Sequence, residues 1–328
     1  MQTFSAPGKL LLFGEHSAVF GYPAVGAALH RHLTIHVRPA SRYSIRLSGS
    51  DRPVDPHALR AFAAHVEATL GPRSPAAFDV HSDLPIESGF GSSAALCTAI
   101  ARWSIEEGAT SGRRGPHSVV KETWALAHRL EHFFHGTPSG IDTGLSSLAG
   151  VQAFHFDRGP GRLPSPRRLD VPLPSMVVGS TPRERSTREL VASVRGLLES
   201  SERRVRPLLD RLGTLCGEAI AVLSTGRLQS PVQDADAEAP DVSATIAGLA
   251  DRAHSTLRAL GVSTPHTDML LDVGRTNGAL GGKLSGAGGG GAFYLVCPTD
   301  ECATGVLERI RERLPTGGVA FTHLGSPR

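Results

Sequence analysis

Thirty-seven of the 328 residues are glycine, and their placement constrains the fold more than their number does. Fourteen of them crowd into four short segments, Pro7–Gly14, Gly89–Ser93, Gly136–Gly144 and Gly281–Gly291, each flanked by apolar runs that read as strands or helices. Flexible linkers would not alternate in this way with periodic apolar sequence, so the clusters read as shaped turns at the ends of elements. No internal repeat accompanies them.

Between the turns the apolar spacing predicts strands near 9–13, 32–38, 43–47, 77–81 and 151–156, with helices near 55–70, 92–107 and 118–134. In the helix after Gly91, residues Ala94, Ala95, Leu96, Ala99, Ile100 and Trp103 follow the 3.6-residue period and predict one buried stripe. The basic, turn-rich stretch Gly159–Arg168 is the expected boundary, dividing the chain into domains 1–165 and 166–328. Beyond it come a strand at 175–179 and a capping box at Ser186–Glu189, which opens an amphipathic helix carrying Leu190, Val191, Val194, Leu197 and Leu198. Helices at 203–224, 242–260, 265–276 and 300–313 and strands at 291–297 and 318–323 complete the pattern, with Pro231–Pro240 read as a loop. The expected class is α+β, a mixed α/β protein with two lobes.

Composition narrows the function. An apolar fraction of 40% and a net charge of +3 exclude disorder for most of the chain. That balanced charge indicates neither a nucleic-acid nor a membrane partner, which leaves small molecules. Cys97, Cys216, Cys297 and Cys302 lie far apart with no C-x-x-C pair, as expected of reduced thiols in a cytoplasmic protein. The apolar run Leu10–Phe13 is too short for a signal peptide, which needs roughly 7–15 such residues. No uncharged stretch reaches the roughly 18 apolar residues of a membrane span.

Four stretches carry chemistry. In Leu84–Ala95, glycines would let backbone N–H groups approach an anion, the following helix would add its positive end, and Ser92 and Ser93 offer hydroxyls. The spacing fits a phosphate cradle and equally a tight turn with a serine helix cap. In Gly281–Gly291 the glycine density implies backbone that something approaches closely, either a second wall of a nucleotide site or a flexible loop before a strand. Between Leu130 and Asp142, two carboxylates, Glu131 and Asp142, would suit a metal ligand and a proton acceptor. Ser139–Asp142 also fits a capping box, and Glu131 a wet helix face. Finally, Lys9 would need a polar partner at the start of a buried strand, and Asp142 is a candidate. Only Lys9, Lys121 and Lys283 are lysines, and two of the three lie in or beside the glycine motifs.

Taken together and in order, these stretches resemble the GHMP family of small-molecule kinases. The resemblance runs from Ser5 to about Val296 and rests on Pro7-Gly8-Lys9 with Gly14-Glu15-His16, His135–Asp142, Ser186–Val191 and Lys283–Gly291. It is nearest the mevalonate-phosphorylating branch. It implies an N-terminal ATP-binding lobe like ribosomal protein S5 domain 2, a ferredoxin-like C-terminal lobe and a site in the cleft between them. ATP and mevalonate would be the ligands, with Mg²⁺ as the metal and a homodimer left open. Asp142 would accept the proton of the substrate hydroxyl, and Lys9 would sit beside it. Ser93, with Ser92, and Glu131 would hold the metal. Pro85, Ser88, Gly89, Phe90, Gly91, Ser92, Ser93, Ala94 and Ala95 would cradle the phosphates, with Gly286, Ala287 and Gly288 shaping the site from the other lobe. Glu15, His16 and Thr187 would contact the substrate. The chain departs from the usual pattern at Glu87, Phe90, Thr143, Ser285 and Ala292, and an acidic Glu87 beside a phosphate loop would be unfavourable unless turned outward or met by an arginine.

Overall fold

The computed structural model describes residues 1–48, 55–85, 88–108, 115–156, 162–182, 187–225 and 241–323. They fall into two compact units, one formed by Met1–Lys9 with Ala28–Ala149, the other by Leu10–Ala27 with the chain from Gly150 onward. Strands β1 (Gln2–Phe13) and β2 (Ala24–Pro39) have residues in both.

In the first unit, β3 (Ser44–Ser48), α1 (Pro56–Leu70) and β4 (Ala76–Ser82) form a right-sized parallel crossover, since parallel strands need a long connection. Residues Leu33–Pro39 of β2 pair antiparallel with β4, matching Ile35 with Val80 and Val37 with Phe78. Asp55 caps α1 by accepting from His57 N, and Pro56 takes a first-turn position where its missing N–H costs nothing. Three helices follow: α2 (Ser92–Glu107), α3 (Pro116–His135) and α4 (Ile141–Leu148). Helix α2 was expected to bury one stripe, yet Ala94, Ala95, Cys97, Thr98, Ala99, Ile100, Ala101, Trp103 and Ser104 are all buried. Its small side chains let α3 and α4 pack closely against it, so more than one face is covered. The edge of Trp103 meets Phe78 at 5.0 Å between ring centroids, joining helix to sheet.

The second unit continues with β5 (Val151–His155), β6 (Ser165–Leu169), β7 (Ser175–Thr181), α5 (Thr187–Ser200), α6 (Glu202–Thr225), α7 (Val242–Ala259) and α8 (Pro265–Thr276). It ends with β8 (Gly281–Leu284), β9 (Gly291–Cys297), α9 (Asp300–Arg313) and β10 (Val319–His323). Residues Ala24–Ala27 of β2 pair with β5, and β5 with β6. A second, fully antiparallel sheet runs β10-β7-β9-β8. Every residue of β9 is buried, and Phe293 and Leu295 pack with Val177, Leu270, Leu271, Ala303, Val306 and Ile310 in the core beneath α8 and α9. This is the α+β architecture that the element pattern predicts.

The structure adds strand where turn signals dominate the sequence. β6 occupies part of the stretch read as turn-rich; it is an edge strand, where Pro166 is tolerated. β8 begins with two glycines, which carry no strand propensity. The last passage between units falls at Ala149–Gly150. Glu87, Ser186, Gly159–Gly161 and all of Pro231–Pro240 lie outside the described residues. All four cysteines are free, and no described helix is long and apolar enough to cross a membrane.

Candidate active site

The first unit builds its site on contacts between β1, the glycine loop and α4. Lys9 N donates to Phe90 O at 2.8 Å, joining β1 to the loop. Gly91 has φ +75, and a Cβ there would stand 2.6 Å from Lys9 Cγ. Glycine is therefore required both for its backbone angle and for the lysine stem that crosses it. Ser146 Oγ donates to Pro7 O at 2.6 Å, fixing α4 to the same strand, while Trp124 Nε1 donates to Gly140 O at 2.9 Å and steadies the helix start. In the first turn of α4, Asp142 Oδ2 lies 3.0 Å from Lys9 Nζ. The lysine side chain is 7% exposed and that of the aspartate 33%, so one carboxylate face stays open. The helix cap is Gly140, and Ser139 Oγ accepts from Ile141 N at 3.3 Å; Asp142 spends its charge on Lys9 and does not complete a capping box.

Glu131, in the last turn of α3, is 1% exposed, and neither carboxylate oxygen has a hydrogen-bond partner. Burial pushes its pKa up to about 8, the charge of Asp142 adds to the rise, and Lys9 opposes it. His135 Nε2 comes no nearer than 4.0 Å to it. A wet helix face is thus excluded. The Cys97 thiol is also raised, first by burial and then by the charge of Glu131. Ser93 stands one turn before Cys97 on the same face of α2. A buried carboxylate with two orphaned oxygens is a hard-oxygen donor suited to a divalent cation, and Ser93 offers a hydroxyl at a helix start.

Around it the loop reads as a cradle more than as a capped turn. Ser88 Oγ is used locally, donating to Pro85 O at 2.6 Å, and Gly89 takes φ +89. The N-cap of α2 is Gly91, so the serine cap is not formed, and the first intrahelical bond runs from Ala95 N to Gly91 O at 2.9 Å. Phe90 is buried as an anchor, and the half-buried Ser92 and Ser93 lead the helix, where unpaired N–H groups favour an anion.

The second unit holds Glu15, His16, Gly286, Ala287, Gly288 and Thr187. The turn after β1 buries Glu15, His16 and Ser17, with His16 in the left-handed region at φ 58. Glu15 forms an ion pair with Lys283 of β8, and both are fully enclosed. Sequence reasoning missed this partner; the scarcity of lysine and the glycine run after it were the available signal. His16 Nε2 donates to Ala287 O at 2.9 Å, and burial holds its pKa below the usual histidine value. From Gly286 to Gly291 every residue but Ala287 has positive φ, and a Cβ on Gly288 would collide with Val262 O. The glycine density is thus a backbone requirement, with Gly289 N donating to Val262 O at 2.8 Å. Thr187 is the first residue of α5 and half-buried.

Residues 57–150 match the GHMP kinases N terminal domain, and residues 239–316 match GHMP kinases C terminal. A mevalonate kinase of Thermococcus gammatolerans is 31% identical over 92% of this chain and 91% of its own. The chain belongs to the GHMP kinase family. Among solved structures, an L. major mevalonate kinase in complex with R-mevalonate superposes with a TM-score of 0.77 at 20% identity, covering 100% of this chain and 97% of that one. A Streptococcus pneumoniae phosphomevalonate kinase in complex with phosphomevalonate and AMPPNP gives 0.72 at 16%, covering 99% and 100%. Those two scores establish the shared GHMP kinase fold and do not separate one acceptor from another.

Where the described sequence departs from the usual pattern of the relatives, the substituted side chains serve packing or hydrogen bonds to backbone carbonyls. Thr143 Oγ1 donates to Gly140 O at 3.4 Å, Ser285 Oγ donates to Leu11 O at 2.8 Å, and Phe90 and Ala292 are enclosed.

Proposed function

We propose that this GHMP kinase transfers the γ-phosphoryl group of ATP to the primary hydroxyl of mevalonate, giving 5-phosphomevalonate and ADP. The reading rests above all on one observation, an ammonium 3.0 Å from a carboxylate that remains one-third exposed. Binding a nucleotide needs no proton acceptor; transferring its phosphoryl group to an alcohol does. The choice of mevalonate follows the relatives at about nine-tenths coverage, such as that of Thermococcus gammatolerans.

In this reading Asp142 takes the proton as the substrate oxygen bonds to the γ-phosphorus and the bond to the β-phosphate oxygen breaks, releasing ADP. Lys9 holds the Asp142 carboxylate in place and balances charge on the transferring group. The residues from Pro85 to Ala95 hold the phosphates, through the N–H groups and hydroxyls at the start of α2. Gly286, Ala287 and Gly288 offer further bare backbone, and His16 and Thr187 are assigned to the substrate side, with Glu15, enclosed against Lys283, supporting His16 instead of touching the substrate. Glu131 and Ser93 would hold Mg²⁺, which when bound neutralises charge on the β- and γ-phosphates. Positioning and charge stabilisation supply the acceleration. Four free thiols suit a cytoplasmic enzyme.

The test is ADP release with mevalonate, phosphomevalonate, homoserine and galactose, each with ATP and Mg²⁺. Release with mevalonate alone is expected. Release with another acceptor in its place would reassign the substrate, and nucleotide binding with no release on any acceptor would make the protein a sensor.

A further inference from the structure

The ion pair of Glu15 and Lys283 is enclosed far more completely than that of Lys9 and Asp142. Lys283 is 0% exposed, and its Nζ lies 5.6 Å from the ring centroid of Phe13 and 5.5 Å from that of Tyr294. It also donates to Leu284 O at 2.7 Å. Burial pushes the lysine down and the glutamate up from their ordinary values, and each partner counteracts the other's shift. Exchanging such a pair for apolar or neutral groups of similar shape is often neutral or stabilising, because both charges had to be desolvated. Stability alone therefore does not explain why the pair is here.

What the pair touches does. His16, the residue after Glu15, bonds Ala287 O, and Ser285 Oγ donates to Leu11 O. The end of β1 and its turn are thereby tied to two residues at the start of the glycine loop, and the Gly286 amide counters part of the rise in the Glu15 pKa. Among the loop's amides, Ser285 N donates to Ala292 O and Gly289 N donates to Val262 O. Among the described residues, no acceptor within the protein meets the N–H groups of Ala287, Gly288 or Gly290. These are the amides left for an anionic ligand.

We propose that Lys283 is a positioning residue: by holding Glu15 in the turn whose next residue, His16, bonds Ala287 O, it fixes the open amides of Ala287, Gly288 and Gly290 in the geometry that binds nucleotide phosphate. This rests on the reading of the loop as part of the nucleotide site. A freely rotating glycine loop would have to be ordered at each binding event, and the clamp supplies that order in advance. Lys283 does this without touching the ligand.

The experiment compares wild type, E15Q and the double variant Lys283→Met with Glu15→Gln, which carries no buried charge. Titration calorimetry with a non-hydrolysable ATP analogue and Mg²⁺ is read beside thermal unfolding. The expected result is a double variant as stable as wild type that binds the analogue at least tenfold more weakly, with KM for ATP raised more than kcat is lowered. E15Q keeps an acceptor for Lys283 and should show a smaller loss in the same direction. Affinity within twofold of wild type in the double variant would overturn the proposal. So would an affinity loss that only follows a loss of stability, or failure of both variants to fold, since the pair would then be a stability element. Absence of analogue binding by wild type would sink the nucleotide reading itself, a separate outcome.

Discussion

Two lysines, each beside a glycine-rich turn and each paired with a carboxylate, do different things in the two units. Lys9 and Asp142 stand 3.0 Å apart with the aspartate one-third exposed, whereas Lys283 and Glu15 are sealed from solvent. An acid that solvent reaches can meet a hydroxyl and take its proton; a sealed one can only hold its neighbours in place. The same charge chemistry thus serves reaction in one place and geometry in the other, and access decides which.

The comparison breaks most sharply at Asp142. Asp142→Asn should lower kcat by roughly a thousandfold or more, the scale of a lost proton acceptor, with the unfolding midpoint and nucleotide affinity almost unchanged; near-normal ADP release would remove the role. At the sealed pair the order of effects should invert. Lys283→Met alone leaves an unpaired buried carboxylate and should cost about 3–5 kcal/mol of stability, measured by denaturant unfolding, with much of that loss recovered when Glu15→Gln is added.

Glu131 sharpens the contrast through pH. Its folded pKa of about 8 lies above the ordinary 4.5, so the folded protein keeps a proton that the unfolded chain has released. Its contribution to stability is therefore full below pH 4.5, declines as pH rises toward 8 and then levels off. Thermal unfolding of the ligand-free protein from pH 5 to 9 should show a midpoint that falls relative to that of Glu131→Gln; parallel curves would contradict a raised pKa. The smallest effect belongs to the strut beneath the open pair. Ser146→Ala removes the bond to Pro7 O and should cost about 1 kcal/mol, with a modest fall in kcat if α4 shifts relative to Lys9.

Much of this was legible in the chain. Helices α1, α2, α3, α7, α8 and α9 fall close to their predicted bounds because each has a covered face, which leaves a 3.6-residue imprint. β6 and β8 were not legible, because an edge strand with Pro166 and a strand opening on Gly281-Gly282 owe their conformation to neighbours. The candidate residues show the same divide. Lys9 and Asp142 announced themselves through motif and order, while the partner of Glu15 lies 268 positions away and is joined to it only in the folded core.

The order of the sequence determined where the chain turns, which faces seek cover and which residue types stand at the bare turns, since these follow from local sterics and apolar spacing. Which lysine meets which carboxylate, that Glu131 is left without a donor, and that one ion pair is open while the other is sealed were decided only by tertiary packing. The reason is that charge acquires its meaning from desolvation, and desolvation depends on everything the fold brings around a group.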